Sequence, residues 1–153
     1  LVIYAQDNSH NLHVNARTWH SGGYAKSFNG MTIINGQTIN STLRWGEILN
    51  LSQNSSNRSS MACFNIGSSS ITVDFYIMNN SGYSLGSFRK TFAAYEFQAF
   101  NPYAEAGLTA ETYSNNYVHM AQQSGSGNLF VIGASANNYT NDPSAHTFLP
   151  YIE

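Results

Sequence analysis

Ile71, Val73, Phe75 and Ile77 alternate with Thr72, Asp74 and Tyr76, between the turn signals Gly67-Ser68-Ser69-Ser70 and Asn79-Asn80-Ser81-Gly82. A period of two puts four large apolar side chains on one face of an extended segment, which therefore needs a core beneath one face of its sheet. The same reading extends in both directions. Met61, Cys63 and Asn65 oppose Ala62, Phe64 and Ile66, and strands are predicted at Ser84 to Phe92, Glu96 to Phe100, Tyr117 to Gln122 and Leu129 to Ala136. Nearer the N-terminus, Leu1 to Ala5 is a short apolar run. Leu12, Val14, Ala16 and Thr18 alternate with His13, Asn15 and Arg17, and Ser21-Gly22-Gly23 turns the chain so that Tyr24 to Phe28 pairs back. Residues 31–51 alternate more weakly around Asn35-Gly36, and the polar stretch Asn50 to Ser60 reads as a linker. Asn101-Pro102 followed by Gly107 predicts one short helical turn near 101–107. Short strands roughly every ten residues, separated by Gly, Asn and Ser, predict an all-β antiparallel β-sandwich, Ig-like or jelly-roll-like.

Charge excludes some partners. Only 9% of residues are charged, 42% are hydrophobic, and ten Tyr and nine Phe are present, so solubility rests on Asn, Ser, Thr and Gly. That balance fits a secreted or surface β-protein and is the opposite of a disordered chain. Six Lys plus Arg and a formal net charge of −2 supply no basic footprint for nucleic acid or anionic lipid. No apolar run approaches the roughly eighteen residues of a membrane-spanning helix, and no secretory leader is visible, so an exported chain is expected in its mature form. The single cysteine, Cys63, rules out an internal disulfide. Asn-X-Ser/Thr sequons begin at Asn40, Asn50, Asn54, Asn57, Asn79 and Asn138, which makes each a glycosylation candidate.

Two stretches echo each other. Asn11-Leu12-His13-Val14-Asn15-Ala16, with Ser27-Phe28-Asn29-Gly30 after a polar loop, parallels Asn128-Leu129-Phe130-Val131-Ile132-Gly133, with Thr147-Phe148-Leu149-Pro150 after another. Both read as the closing hairpin of a β-unit. The division expected is a partial unit over 1–50, with its closing hairpin at 11–30, and a complete unit over 51–153, the two forming one continuous domain.

Arg58, Phe64-Asn65-Ile66-Gly67, Ile71 to Ile77, Leu85-Gly86-Ser87, Tyr95-Glu96-Phe97-Gln98-Ala99-Phe100-Asn101 and Asn141-Asp142-Pro143 stand in an order that resembles a two-part β-sandwich repeat module of bacterial secreted and cell-surface proteins. The resemblance runs without gaps from residue 58 to about 104. It implies a complete second half and a truncated first half, with Asp142 bonding to its own backbone in a turn. Lys90 stands where the module has an apolar residue, and is expected to snorkel to a strand edge. Strands that precede the first closing hairpin in the module are not seen in residues 1–10, so an uncovered edge, or a patch by Leu1 to Ala5, is expected.

Catalytic readings find little material. His10 and His13, with Asp7 and His20, form the one cluster with metal-ligating residue types, but on a strand His10 and His13 face opposite sides. Cys63 with His119 or His146 would make a nucleophile pair, yet Cys63 lies mid-strand among apolar neighbours, where a thiol is ordinarily a small core residue. Glu96, Glu105, Glu111 and Asp142 lie in separate turns and show no two-carboxylate logic. The expectation is a non-catalytic protein without cofactor or metal.

Two functions remain. The first is an extracellular structural or assembly protein, a subunit of a surface filament or appendage. It would dock on itself or on another filament or surface protein through an incomplete N-terminal β-unit, with Leu1, Val2, Ile3, Tyr4, Leu12 and Val14 as the contact. The alternative is an adhesin-like module that binds a glycan or a surface, with Trp19 and Trp45 as the stacking residues.

Overall fold

The structure is a computed structural model, and it describes residues 15–19, 25–29, 38–109 and 112–150. The chain divides into two compact units, Leu1–Thr32 and Ile33–Glu153. In the first, β1 (Asn15–Trp19) pairs antiparallel with β2 (Ala25–Asn29), from Asn15 opposite Asn29 to Trp19 opposite Ala25. The expected contact residues Leu1, Val2, Ile3, Tyr4, Leu12 and Val14, and the cluster of Asp7, His10, His13 and His20, lie outside the described residues.

The second unit is a sandwich of two antiparallel sheets, as the alternation predicts. Its strands are β3 (Thr38–Ile39), β4 (Trp45–Asn54), β5 (Asn57–Asn65), β6 (Ile71–Met78), β7 (Ser84–Phe92), β8 (Phe97–Phe100), β9 (Thr112–Gly125), β10 (Leu129–Asn137), β11 (Pro143–Thr147) and β12 (Leu149–Pro150). Sheet I has the order β11-β10-β5-β8, with β3 also pairing with β10; sheet II has the order β12-β4-β9-β6-β7. Between them lie Ile39, Met61, Cys63, Leu129 and Val131 from sheet I, and Ile48, Leu51, Ile71, Val73, Phe75, Ile77, Phe92, Val118 and Met120 from sheet II. Phe75 stacks on Phe88 at 4.8 Å, and Phe100 meets both rings edge-on at 5.8 and 5.6 Å, the arrangement favoured by the aromatic quadrupole.

The helical turn α1 (Pro102–Glu105) forms where Asn101 and Pro102 predict it. Asn101 Oδ1 accepts from the backbone N–H groups of Tyr103 and Ala104, Pro102 opens the turn, and Gly107 follows it at φ 71°. Lys90 behaves as its sequence context suggests. Its ammonium leaves the interior at the edge strand β7, sits 4.8 Å from the Phe100 ring centroid and pairs with Glu105 at 2.9 Å.

Two sequence expectations are overturned. Residues 50–60 are no linker: they include the end of β4, a tight turn and the start of β5, which carry the chain from sheet II to sheet I. The polar side chains there hold backbone in place. Asn54 Oδ1 accepts from the N–H groups of Ser56 and Asn57, and Ser59 Oγ bonds both the N–H and the carbonyl of Ser52. Alternation is weak in β4 because of a bulge. Ile48 and Leu51, three residues apart, both point inward because the register against β9 shifts between them and Asn50 adopts φ 60°. Nor does Asp142 hold the turn between β10 and β11 through its carboxylate, as the resemblance implied. Asn137 Oδ1 does so, accepting from the N–H groups of Tyr139 and Thr140, while Thr140 Oγ1 accepts from the Asp142 N–H.

After β11 the chain changes sheets at Phe148. Its ring enters the core, 6% exposed, and Leu149 and Pro150 then pair with Glu47 and Gly46 of β4. Gly46 makes room for that ring, since a Cβ at position 46 would overlap the Phe148 aromatic carbons.

Candidate functional site

The two outer faces of the sandwich differ in chemistry, and the strand registers assign each residue to its face. On sheet I, Phe97, Phe64 and Phe130 stand side by side across β8, β5 and β10. The next row is Ala99, Ala62, Ile132 and Thr147, and the one after it Ser60, Ala134 and Ala145. Residues directly opposite share a face, so these rows form one continuous outer surface without a charged side chain. Phe97 is 62% exposed, while Phe64, Phe130 and Ile132 are half-buried. Arg58 bounds this surface in the row beyond, opposite Ala136, where its guanidinium donates to Asn138 Oδ1 at 3.1 Å and Asn141 Oδ1 at 2.9 Å.

The reason lies in the strands themselves. Met61-Ala62-Cys63-Phe64 and Leu129-Phe130-Val131-Ile132 are apolar at every position, a pattern of strands covered on both faces. Only their inner residues are covered by sheet II.

Sheet II presents a polar and aromatic outer face. Leu149, Glu47, His119, Tyr76 and Ser87 form one row across β12, β4, β9, β6 and β7, and Trp45, Ala121, Asp74 and Arg89 form the next. The Trp45 and His119 rings stack at 5.7 Å with 27° between their planes, and Tyr76 lies 6.2 Å from His119 on the neighbouring strand. His119 Nδ1 is 3.3 Å from Glu47 Oε1. Asp74 is gripped in a two-point pair, with Arg89 Nε to Oδ1 at 2.6 Å and Arg89 Nη2 to Oδ2 at 2.9 Å, and Tyr76 Oη donates at 3.3 Å. The Arg89 hydrogen bond and charge hold the Asp74 carboxyl below its ordinary range, against the opposing effect of burial.

Trp45, a stacking candidate from the sequence, is thus 39% exposed and packs on the His119 ring of the neighbouring row. Trp19 closes β1 opposite Ala25. The grouping of His119, Tyr76 and Glu47 with Trp45 escaped the sequence reading because only strand register brings them together. Among the sequons, the side-chain nitrogens of Asn40, Asn54, Asn57 and Asn138 donate within the protein, to Thr38, Tyr113, Asn54 and the Asn54 carbonyl respectively. Asn79 accepts from the Ser81 and Tyr83 N–H groups through Oδ1, and Asn50 is exposed at the β4 bulge.

The drawn nucleophile pair does not assemble around Cys63. Its side chain points into the core, and burial pushes the thiol well above its ordinary pKa, whereas His119 projects from the outer face of sheet II and His146 Nε2 lies 3.0 Å from Ser135 Oγ. Glu96 accepts from the Ala93 N–H and Gln98, Glu105 pairs with Lys90, and Glu111 lies outside the described residues. Among the described residues, no three His, Cys, Asp or Glu side chains gather to hold a metal ion, and no helix is long and apolar enough to cross a membrane. In comparisons with known proteins, the chain matches no family model, no curated protein and no solved structure.

Proposed function

We propose that this chain is a non-catalytic structural protein of the extracellular surface that assembles through the outer face of sheet I. The observation that carries the reading is the uncharged apolar surface of Phe64, Phe97, Phe130, Ala62, Ala99 and Ile132, whose two central strands, β5 and β10, are apolar on both sides over residues 61–64 and 129–132. The composition, with few charges and many Asn, Ser and Tyr, supports an extracellular setting, as does the resemblance of residues 58–104 to a module of bacterial surface proteins. The N-terminal contact expected from the sequence lies outside the described residues, so the interface now rests on sheet I.

The occupant proposed is the same face of a second copy. An uncharged face is self-complementary, since two copies can meet about a two-fold axis without opposing like charges. Its extent limits the strength of the contact. Four strands about 4.8 Å apart and three rows about 7 Å apart cover a patch well below the ~800 Å² per partner of a standard interface. An isolated pair is therefore weak, with a dissociation constant in the micromolar to millimolar range, and stable filaments require many such contacts acting together.

Sedimentation velocity over a rising concentration series tests this reading. The wild-type chain should associate reversibly as concentration rises, and Phe97→Lys, which places a charge on the most exposed ring of the patch, should abolish association while leaving the melting temperature unchanged. A wild-type chain that stays monomeric up to about 1 mM would remove the basis for assembly through this face.

A further inference from the structure

We infer that the outer face of sheet II binds a neutral, flat oligosaccharide across Trp45, His119 and Tyr76, which span two neighbouring rows of adjacent strands. This inference is independent of assembly through sheet I, because it concerns the opposite face and different residues.

Three features specify the ligand. First, the aromatic rings belong to adjacent strands of one sheet, with 5.7 and 6.2 Å between successive centroids and 27° and 42° between successive planes, so they form an open, twisted platform rather than a closed pocket. Trp45 remains 39% exposed after packing on His119. The C–H groups on the apolar side of a pyranose ring carry partial positive charge and match the negative face of an aromatic ring, which makes such a platform suited to successive sugar units. Second, polar groups flank the rings at the right places for hydroxyls. Glu47 lies beside His119 at 3.3 Å and has acceptor capacity left over, and the Tyr76 hydroxyl points toward Asp74 at 3.3 Å.

Third, the charges argue against an ionic ligand. Arg89 is committed to Asp74 by two hydrogen bonds of 2.6 and 2.9 Å, so it is neutralised, and Glu47 repels an anion. A phosphate, sulfate or uronate would find no uncommitted cation in the two rows of this face. A neutral chain needs none. A β-(1→4)-linked chain such as a cellulose or chitin oligomer is ribbon-like, and a ribbon lies on a sheet face more completely than a coiled α-(1→4)-linked chain does.

An amide NMR titration with cellohexaose and with chitohexaose tests the inference, with maltohexaose as the coiled comparison. At least one ribbon-like probe should shift the signals of Trp45, including its indole N–H, together with His119, Tyr76 and Glu47, and maltohexaose should bind more weakly. Trp45→Ala should reduce affinity at least about tenfold with the remaining spectrum preserved. Tyr76→Phe, which keeps the ring and removes the hydroxyl, should weaken binding by about two- to fivefold, and Tyr83→Ala, a 71%-exposed ring in a loop, should change nothing. The inference is overturned if neither ribbon-like probe at up to about 10 mM shifts these residues, if the shifts cluster elsewhere, or if Trp45→Ala and Tyr76→Phe both bind like the wild type.

Discussion

Replacing Asn65 should cost more stability than any other single polar substitution in the second unit. Its side chain is fully buried and ties three loops together at one end of the sandwich. Nδ2 donates to the carbonyls of Ser69 at 2.8 Å and Ala93 at 2.8 Å, with a longer shared contact to Phe92 at 3.2 Å. Oδ1 accepts from the N–H groups of Gly67 at 3.0 Å and Asn128 at 3.1 Å. The bonds therefore join the β5–β6 turn, the β7–β8 corner and the β9–β10 turn. Space for the amide is itself built in, because a Cβ on Gly127 would lie 2.8 Å from Asn65 Oδ1 and 2.9 Å from Nδ2.

In Asn65→Ala two N–H donors lose their partner, at about 1 to 2 kcal/mol each, and two carbonyls lose a bond worth about 0.5 to 1 kcal/mol each. Ser69 is exposed and can be rehydrated, and the Ala93 carbonyl still accepts from the Glu96 N–H, so the lower figures apply to those carbonyls. The expected loss is about 4 kcal/mol, a large part of the 5 to 15 kcal/mol of an ordinary domain. Urea unfolding followed by circular dichroism should show the midpoint falling with an unchanged slope, and the melting temperature should drop by roughly 15 °C. Asn65→Asp sharpens the test. It preserves the acceptor but turns a charged oxygen toward three carbonyls in a buried site, so its folded-state pKa is raised above the unfolded value. Stability relative to wild type is then greatest below the unfolded carboxyl pKa and is lost as pH rises through the folded one. A loss under about 1 kcal/mol for Asn65→Ala would refute the loop-tying role.

Gly46→Ala should force Phe148 out of the core and detach β12, costing about 2 to 3 kcal/mol and exposing the Leu149 and Pro150 amides to rapid hydrogen exchange; unchanged protection there would contradict the packing. Because Arg89 depresses the Asp74 pKa, the pair's contribution is present above the ordinary carboxyl value of 3.8 and is lost as pH falls from there through the lower folded value. Urea midpoints measured against pH should therefore fall less steeply in that acid window for Asp74→Asn than for wild type. The Cys63 thiol, buried with its pKa raised, should react with a thiol reagent only at the rate of unfolding, so fast labelling of the native protein would contradict its core position.

Ser84 to Phe92 was legible to the residue, and Ile71, Val73, Phe75 and Ile77 all reach the core, because a regular strand with one buried face writes its geometry directly into the order of its side chains. The helical turn at 102–105 was legible for a different reason: Asn, Pro and Gly act locally at its two ends. Asn50 to Ser60 misled because serine and asparagine that satisfy backbone groups between two sheets look the same, in a sequence, as serine and asparagine that face water. The strand at Tyr117 to Gln122 is longer than its alternation indicates, running Thr112–Gly125, since Asn115 at φ 54° interrupts the period near the bulge shared with β4. Trp45 could be singled out as an aromatic, but its grouping with His119, Tyr76 and Glu47 could not.

Local chemistry alone determined the strand class, most strand positions and the turns, because a side-chain period of two and the preferences of Gly, Asn and Pro act within a few residues. Tertiary structure alone decided which strands are neighbours. Placing β9 between β4 and β6 unites Trp45, His119 and Tyr76, and placing β5 between β8 and β10 aligns Phe97, Phe64 and Phe130. Register between strands distant in sequence is set by how two sheets bury their facing residues together, and a one-residue slip in any of them would scatter the surface of the sheet it belongs to.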